Sequence, residues 1–129
     1  MRIKQIQIID VIRLMVTNLY RLRIGGQIVG YRKHVGSYVF FSRDDFWYNG
    51  APFHFETEDA FTLVKDRRGH KLFVGDVVRC MLDGTPKTLR IVAMGQNGPE
   101  FCCHISESKI TAANPDALLT ESHFISLAY

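Results

Sequence analysis

The sequence predicts a mainly β fold of the α+β class, and three observations carry that prediction. Asp83-Gly84 and Asn97-Gly98 punctuate the C-terminal half at hairpin spacing. Apolar and polar residues alternate with the period of a strand on both sides of Gly25-Gly26. One early stretch, residues 8–20, instead shows the apolar stripe of a helix. The division expected from these patterns is an N-terminal helix and β-hairpin region over residues 1–59, followed by a mainly β region over residues 60–129.

Each element has its own signal. In residues 8–20 apolar side chains fall at Ile8, Ile9, Val11, Ile12, Met15, Val16, Leu19 and Tyr20, with Asp10, Arg13, Thr17 and Asn18 opposite. That spacing is helical, although the β-branched residues lose rotamer freedom in a helix. From Tyr20 the period shortens to two, and Gly25-Gly26 turns the chain into a second strand over residues 27–32. Residues 37–42, SYVFFS, read as a third strand, and Asn49-Gly50 between aromatic runs is another hairpin signal. Further on, residues 61–64, 76–82, 87–94 and 100–106 read as strands. The last three form a meander, with Val78, Leu82, Leu89, Ile91, Phe101 and Ile105 on its inner face and Phe124 added from a final strand, residues 123–129. Asn114-Pro115 opens a turn, and PDALL suits one turn of helix.

Composition narrows the function classes. The 129-residue chain is 47% hydrophobic and 22% charged, which excludes wholesale disorder. Its net charge of +3 does not by itself imply nucleic acid, but the charge is banded. Residues 1–43 carry eight Lys and Arg against one acid, and residues 44–59 carry five acids and no Lys or Arg. Residues 60–90 return to +4 and residues 91–129 to −3. The bands either create local fields or neutralise one another on folding. Cys80, Cys102 and Cys103 are odd in number, and two are adjacent, so a disulfide framework is not expected and a reducing cytoplasm is. Asp10 and Arg13 interrupt the apolar start, which argues against a signal peptide, and no uninterrupted apolar run suggests a membrane span.

Residues 65–79, KDRRGHKLFVGDVVR, place Asp66, Gly69, Leu72, Gly75, Asp76 and Val78 in a recurrent pattern of turn residues and core residues. This segment resembles the YopX-like proteins of phages and prophages, and is similar to other SH3-like small β-barrels, including some phage anti-defence proteins. The resemblance implies an SH3-like barrel over residues 60–129, in which Gly69 and Gly75 supply turns, Leu72 plugs the barrel and Asp76 accepts backbone N–H groups. It also implies a mobile-element origin, and with it a role in the host cytoplasm. It implies no reaction.

Catalysis is not expected. No GxSxG, HExxH, Walker or dinucleotide motif is present, and no spacing forces Asp44, Asp45 and His54 into an acid–base constellation. Neither a metal nor another cofactor is expected. Cys102 and Cys103 point to opposite faces of a strand and cannot readily share an ion, even with His104, Cys80 or His70 nearby.

Two binding surfaces compete. Asp44-Asp45-Phe46-Trp47-Tyr48 joins acids to aromatics and suits insertion into another protein, such as a host component that it would block. The same aromatics could equally form core. Arg21, Arg23, Arg32, Lys33 and Arg43, interleaved with Tyr31, Tyr38, Phe40 and Phe41, suit nucleic acid or a nucleotide signal through phosphate contacts and stacking. Residues 123–129 contain no Lys, Arg or Pro to protect an edge, so a homodimer through this strand is a further expectation unless the strand pairs within its own fold.

Overall fold

The alternation of LYRLRI builds the first strand of the computed structural model, which describes residues 18–128. The chain divides into two compact units between Phe61 and Thr62, within one strand. It is mainly β, with two antiparallel sheets.

In the first unit β1 (Leu19–Ile24) turns through Gly25-Gly26 into β2 (Gln27–Val35), which pairs with β3 (Tyr38–Ser42). The start of β4 (Thr57–Lys65) pairs with the other edge of β1, so the order is β3-β2-β1-β4. The helix expected over residues 8–20 falls outside the described residues as far as Thr17. Leu19 and Tyr20 belong to β1, because their alternation continues the strand and hydrogen-bonding partners lie on both sides. The hairpin expected at Asn49-Gly50 does not form: no strand lies between Ser42 and Thr57. The Asn49 side chain instead accepts the Ala51 N–H at 3.0 Å, and the Phe53 and Phe55 rings pack on Phe41 at 5.4 and 6.5 Å between centroids. Burying these rings holds the segment against the sheet as a loop.

Arg21 and Arg23 occupy inward positions on β1 and are 2% and 3% exposed. Both meet Asp59 of β4, which lies directly opposite Arg21. Arg21 Nε donates to Asp59 Oδ2 at 2.9 Å, Arg23 Nε donates to the same oxygen at 2.6 Å, and Arg23 Nη2 donates to Oδ1 at 2.8 Å. Arg23 Nη1 also donates to the Gly25 carbonyl at 2.7 Å. Buried charge is tolerated only when paired and hydrogen-bonded in this way. On the opposite face Gly30 permits a close approach. A Cβ there would meet the Phe53 ring at 2.3 Å and the Ser42 carbonyl at 2.4 Å, so the aromatic lies directly on the strand.

In the second unit the remainder of β4 adjoins β5 (Lys71–Phe73). The meander β6 (Asp76–Leu82), β7 (Thr85–Gly95) and β8 (Gly98–Cys103) is flanked by β10 (His123–Leu127) beside β6 and β9 (Lys109–Ile110) beside β8. β10 therefore uses one edge within its own unit. A short helix, α1 (Pro115–Thr120), is capped by Asn114, whose side chain accepts the Ala117 N–H at 3.1 Å. It delivers Leu119 to a core of Val64, Leu72, Val78, Cys80, Leu89, Ile91 and Phe101, against which Phe124 packs. Two expected core residues fall elsewhere. Leu82 is half-buried at the end of β6. Ile105 is 90% exposed, because β8 stops at Cys103 and the next three residues form a turn.

The Asp66–Val78 pattern acts as a folding device. Asp66 Oδ1 accepts the Arg68 and His70 N–H groups, and Oδ2 accepts the Phe124 N–H, all at 2.9 Å. Asp76 Oδ2 accepts the Phe73 N–H at 2.8 Å. Gly69 and Gly75 adopt φ of 84° and 98°, the region that favours glycine. Burial pushes the Asp66 carboxyl upward, but the N–H groups of Phe124, His70 and Arg68, with the nearby His70, outweigh it and hold the group below its ordinary value.

Two outcomes follow from this packing. Asp59→Ala removes the carboxylate that two buried guanidiniums share and is expected to cost about 3–5 kcal/mol in urea unfolding. Glu58→Ala, which removes the exposed partner of Arg32, should cost less than about 1 kcal/mol. Asp66 has a lowered folded value, so its contribution is present above the unfolded carboxylate range and is lost as pH falls through the folded value. The urea midpoint should therefore drop below about pH 4, and Asp66→Asn should flatten that acid limb while lowering stability at neutral pH by about 1–3 kcal/mol.

Candidate binding site

The loop after β3 is built by one carboxylate. Asp44 Oδ1 accepts the Phe46 N–H at 2.9 Å, the Trp47 N–H at 3.3 Å and the Ser42 hydroxyl at 3.0 Å. The Asp44 N–H in turn donates to Ser42 Oγ at 3.3 Å. This is the local chemistry for which Asp is favoured in turns. The Phe46 N–H, then the Ser42 hydroxyl and the Trp47 N–H, hold the Asp44 carboxyl below its ordinary value. Asp45 takes φ of 63°, and its carboxylate accepts the Tyr48 hydroxyl. Burial first, then that bond, push the Tyr48 phenol well above its usual range, so it remains a donor. Lys33 Nζ lies 4.5 Å from the centre of the Tyr48 ring and fixes its other side.

The backbone held in this way presents Phe46 at 83% exposure and Trp47 at 76%. Beside them Phe41, Arg43, Asp44, Trp47, Pro52 and Phe53 line an open groove of about 250 Å³. The Arg43 guanidinium stacks 4.2 Å above the Phe53 ring at its edge. Tyr38, also exposed, stacks on Phe40 at 6.3 Å. Phe46 and Trp47 thus stand in solvent on a tethered loop, and the core alternative does not apply to them.

The five basic residues separate. Arg21 and Arg23 are turned inward onto Asp59 and cannot meet an external phosphate. Arg32 is half-buried between Tyr20 and Phe55, at 5.0 and 5.6 Å, where it pairs with Glu58 and donates to His34 Nε2 at 2.8 Å. Lys33 is half-buried over Tyr48, and Arg43 alone of the five is exposed. Between residues 18 and 61 five bases face five acids, so the basic band is met by the acidic one on folding.

His54 is exposed on the loop. Among the described residues no group of three His, Cys, Asp or Glu could hold a metal ion. Cys80 and Cys102 are buried and Cys103 is half-buried, all as free thiols. No helix among the described residues is long and apolar enough to cross a membrane. Phe53 and Pro52, which complete the groove, escaped the sequence reading. The alternation Phe53-His54-Phe55 is the signal that could have placed one face of this segment on the sheet.

Comparison of the chain with protein-family models, with curated proteins and with solved structures finds no match.

Asp44→Ala should release the loop without unfolding the sheet. Trp47 is the only tryptophan, so its steady-state fluorescence anisotropy reports on this loop alone. The expected result is a fall in anisotropy and faster proteolytic nicking within residues 44–48, with an unchanged melting temperature.

Proposed function

We propose that this chain is a non-catalytic accessory protein of phage or mobile-element type. In this reading it acts in the host cytoplasm, docking on a host protein through Asp44–Tyr48 and blocking it. The observation that carries the reading is the exposure of Phe46 and Trp47 on a loop whose backbone Asp44 already fixes. Large aromatics are typical anchors of interfaces, and a preordered loop has less freedom left to lose on binding. Asp44 and the half-buried Asp45 give the anchor an acidic flank, which complements a basic groove. The mobile-element origin rests on the YopX-like resemblance of residues 65–79. We read residues 60–129 as an SH3-like barrel, a reading supported by the β6–β7–β8 meander and by the turn chemistry of Asp66 and Asp76.

A second reading, a nucleotide or nucleic-acid site in the first unit, is favoured by one feature: Arg43 stacked on Phe53 at the rim of the groove. The internal pairing of Arg21, Arg23 and Arg32 leaves it the weaker of the two.

The test is capture from host-cell lysate by the immobilised full chain, with and without nuclease, beside a Phe46→Ala/Trp47→Ala double variant. A stoichiometric protein partner should survive nuclease. The variant should melt like the parent and lose about 2 kcal/mol or more of binding. Retention of the partner by the variant, or its disappearance with nuclease, would overturn the reading.

A further inference from the structure

Three of the five described bases of the first unit are paired with Asp59 and Glu58, whereas the second unit carries a group of exposed bases. Lys65 at the end of β4 and Arg67, Arg68 and His70 on the β4–β5 loop are all exposed. None of Lys65, Arg67 and Arg68 forms an ion pair among the described residues. The loop is closed on itself by backbone bonds. The Asp66 N–H donates to the His70 carbonyl at 2.8 Å, the Gly69 N–H to the Asp66 carbonyl at 3.0 Å, and the Arg67 N–H to the Ser122 carbonyl at 2.9 Å. The one acid within the loop, Asp66, is buried, and its oxygens hold the N–H groups of Arg68, His70 and Phe124. His70 stacks on Phe124 at 4.3 Å with an interplanar angle of 16°.

An exposed base also stands beyond the loop, on β6. Ser122, which anchors Arg67, precedes His123, and His123 lies in register with the exposed Arg79 on β6. Arg67 and Arg68 on the loop and Arg79 on β6 are therefore linked through the start of β10 on a hydrogen-bonded scaffold.

We propose that this rigid knuckle is a phosphate-backbone contact for nucleic acid, a second surface beyond the protein-docking loop. Guanidinium groups match phosphate oxygens bidentately, and a row of them fits the repeating charge of a polynucleotide. Residues 65–70 contain no aliphatic or aromatic side chain other than the His70 ring, so they offer charge without the apolar core typical of protein interfaces. Because the backbone is already ordered, binding needs only side-chain ordering.

The experiment is fluorescence anisotropy of a short labelled duplex DNA with the full chain across a salt series. Arg67→Ala/Arg68→Ala, Arg43→Ala and Phe46→Ala/Trp47→Ala are measured in parallel, each checked by thermal melting. The parent should bind at low salt with an affinity that falls linearly on logarithmic axes as counterions are restored. Arg67→Ala/Arg68→Ala should bind about tenfold or more weakly, with a slope shallower by about 2, one for each lost phosphate contact. Arg43→Ala and Phe46→Ala/Trp47→Ala should leave both affinity and slope unchanged, which separates this surface from the docking loop. No binding by the parent at low salt would overturn the proposal, as would equal affinity and slope for the Arg67/Arg68 variant. Displacement of the DNA by poly-glutamate at equal charge concentration would also overturn it, and would assign the knuckle to acidic proteins.

Discussion

Two guanidinium groups share one buried carboxylate in the first unit, and much of that unit is arranged around this fact. Arg21 and Arg23 extend from alternate positions of β1, and Asp59 stands opposite Arg21 on β4. A slip of one residue in this pairing would turn both arginines to the other face and strand Asp59. The register defended in this way places Glu58 opposite Leu22, on the same face as Gly30 and Arg32. That face then carries the Arg32–Glu58 pair, and Phe53 against the bare Cα of Gly30. The wall of the groove beside Trp47 therefore follows from an ion cluster on the opposite side of the sheet.

The same cluster decides what the charge pattern means. A run of eight bases before residue 44 suggests a field for anions when it is read along the chain. Antiparallel pairing brings the acidic segment alongside it, and the three arginines of β1 and β2 go to Asp59 and Glu58. Their role becomes cohesion within the sheet. Of the five candidate bases, only Arg43 stays exposed.

Carboxylates and carboxamides organise the loops by a repeated means. Asp44, Asp66, Asp76 and Asn114 each use a side-chain oxygen to hold nearby backbone N–H groups. At Asp66 and Asp76 the result is tertiary order in the second unit, since the Asp66 carboxylate also ties the start of β10. At Asp44 the same chemistry has the opposite consequence. It fixes a loop whose large side chains are left outside, so local order is spent on presenting Phe46 and Trp47.

Local rules were enough wherever neighbours in sequence are also partners in space. The β1–β2 turn at Gly25-Gly26, the β6–β7–β8 meander and the short helix at Pro115 were legible from turn residues and alternation, because hairpins and caps close over a few residues. The turn role of Asp76 and the inward position of Leu72 were expected from the resemblance of residues 65–79, and Leu72 is buried in the core. Legibility ended where the partner is distant. Arg21 and Arg23 read as surface cations until Asp59, more than thirty residues away, was brought opposite them by the antiparallel register. Ile105 followed the alternation of its neighbours, but β8 had already ended at Cys103. Asn49-Gly50 had the chemistry of a hairpin turn, yet the aromatics that follow it found Phe41 and Gly30 before they could find a partner strand. The sequence by itself determined the β class, the turns between the paired strands β1–β2, β6–β7 and β7–β8, and the residue types of the exposed aromatic loop. Only the tertiary structure decided which charges face water, because burial and pairing depend on strands that the chain brings together from far apart.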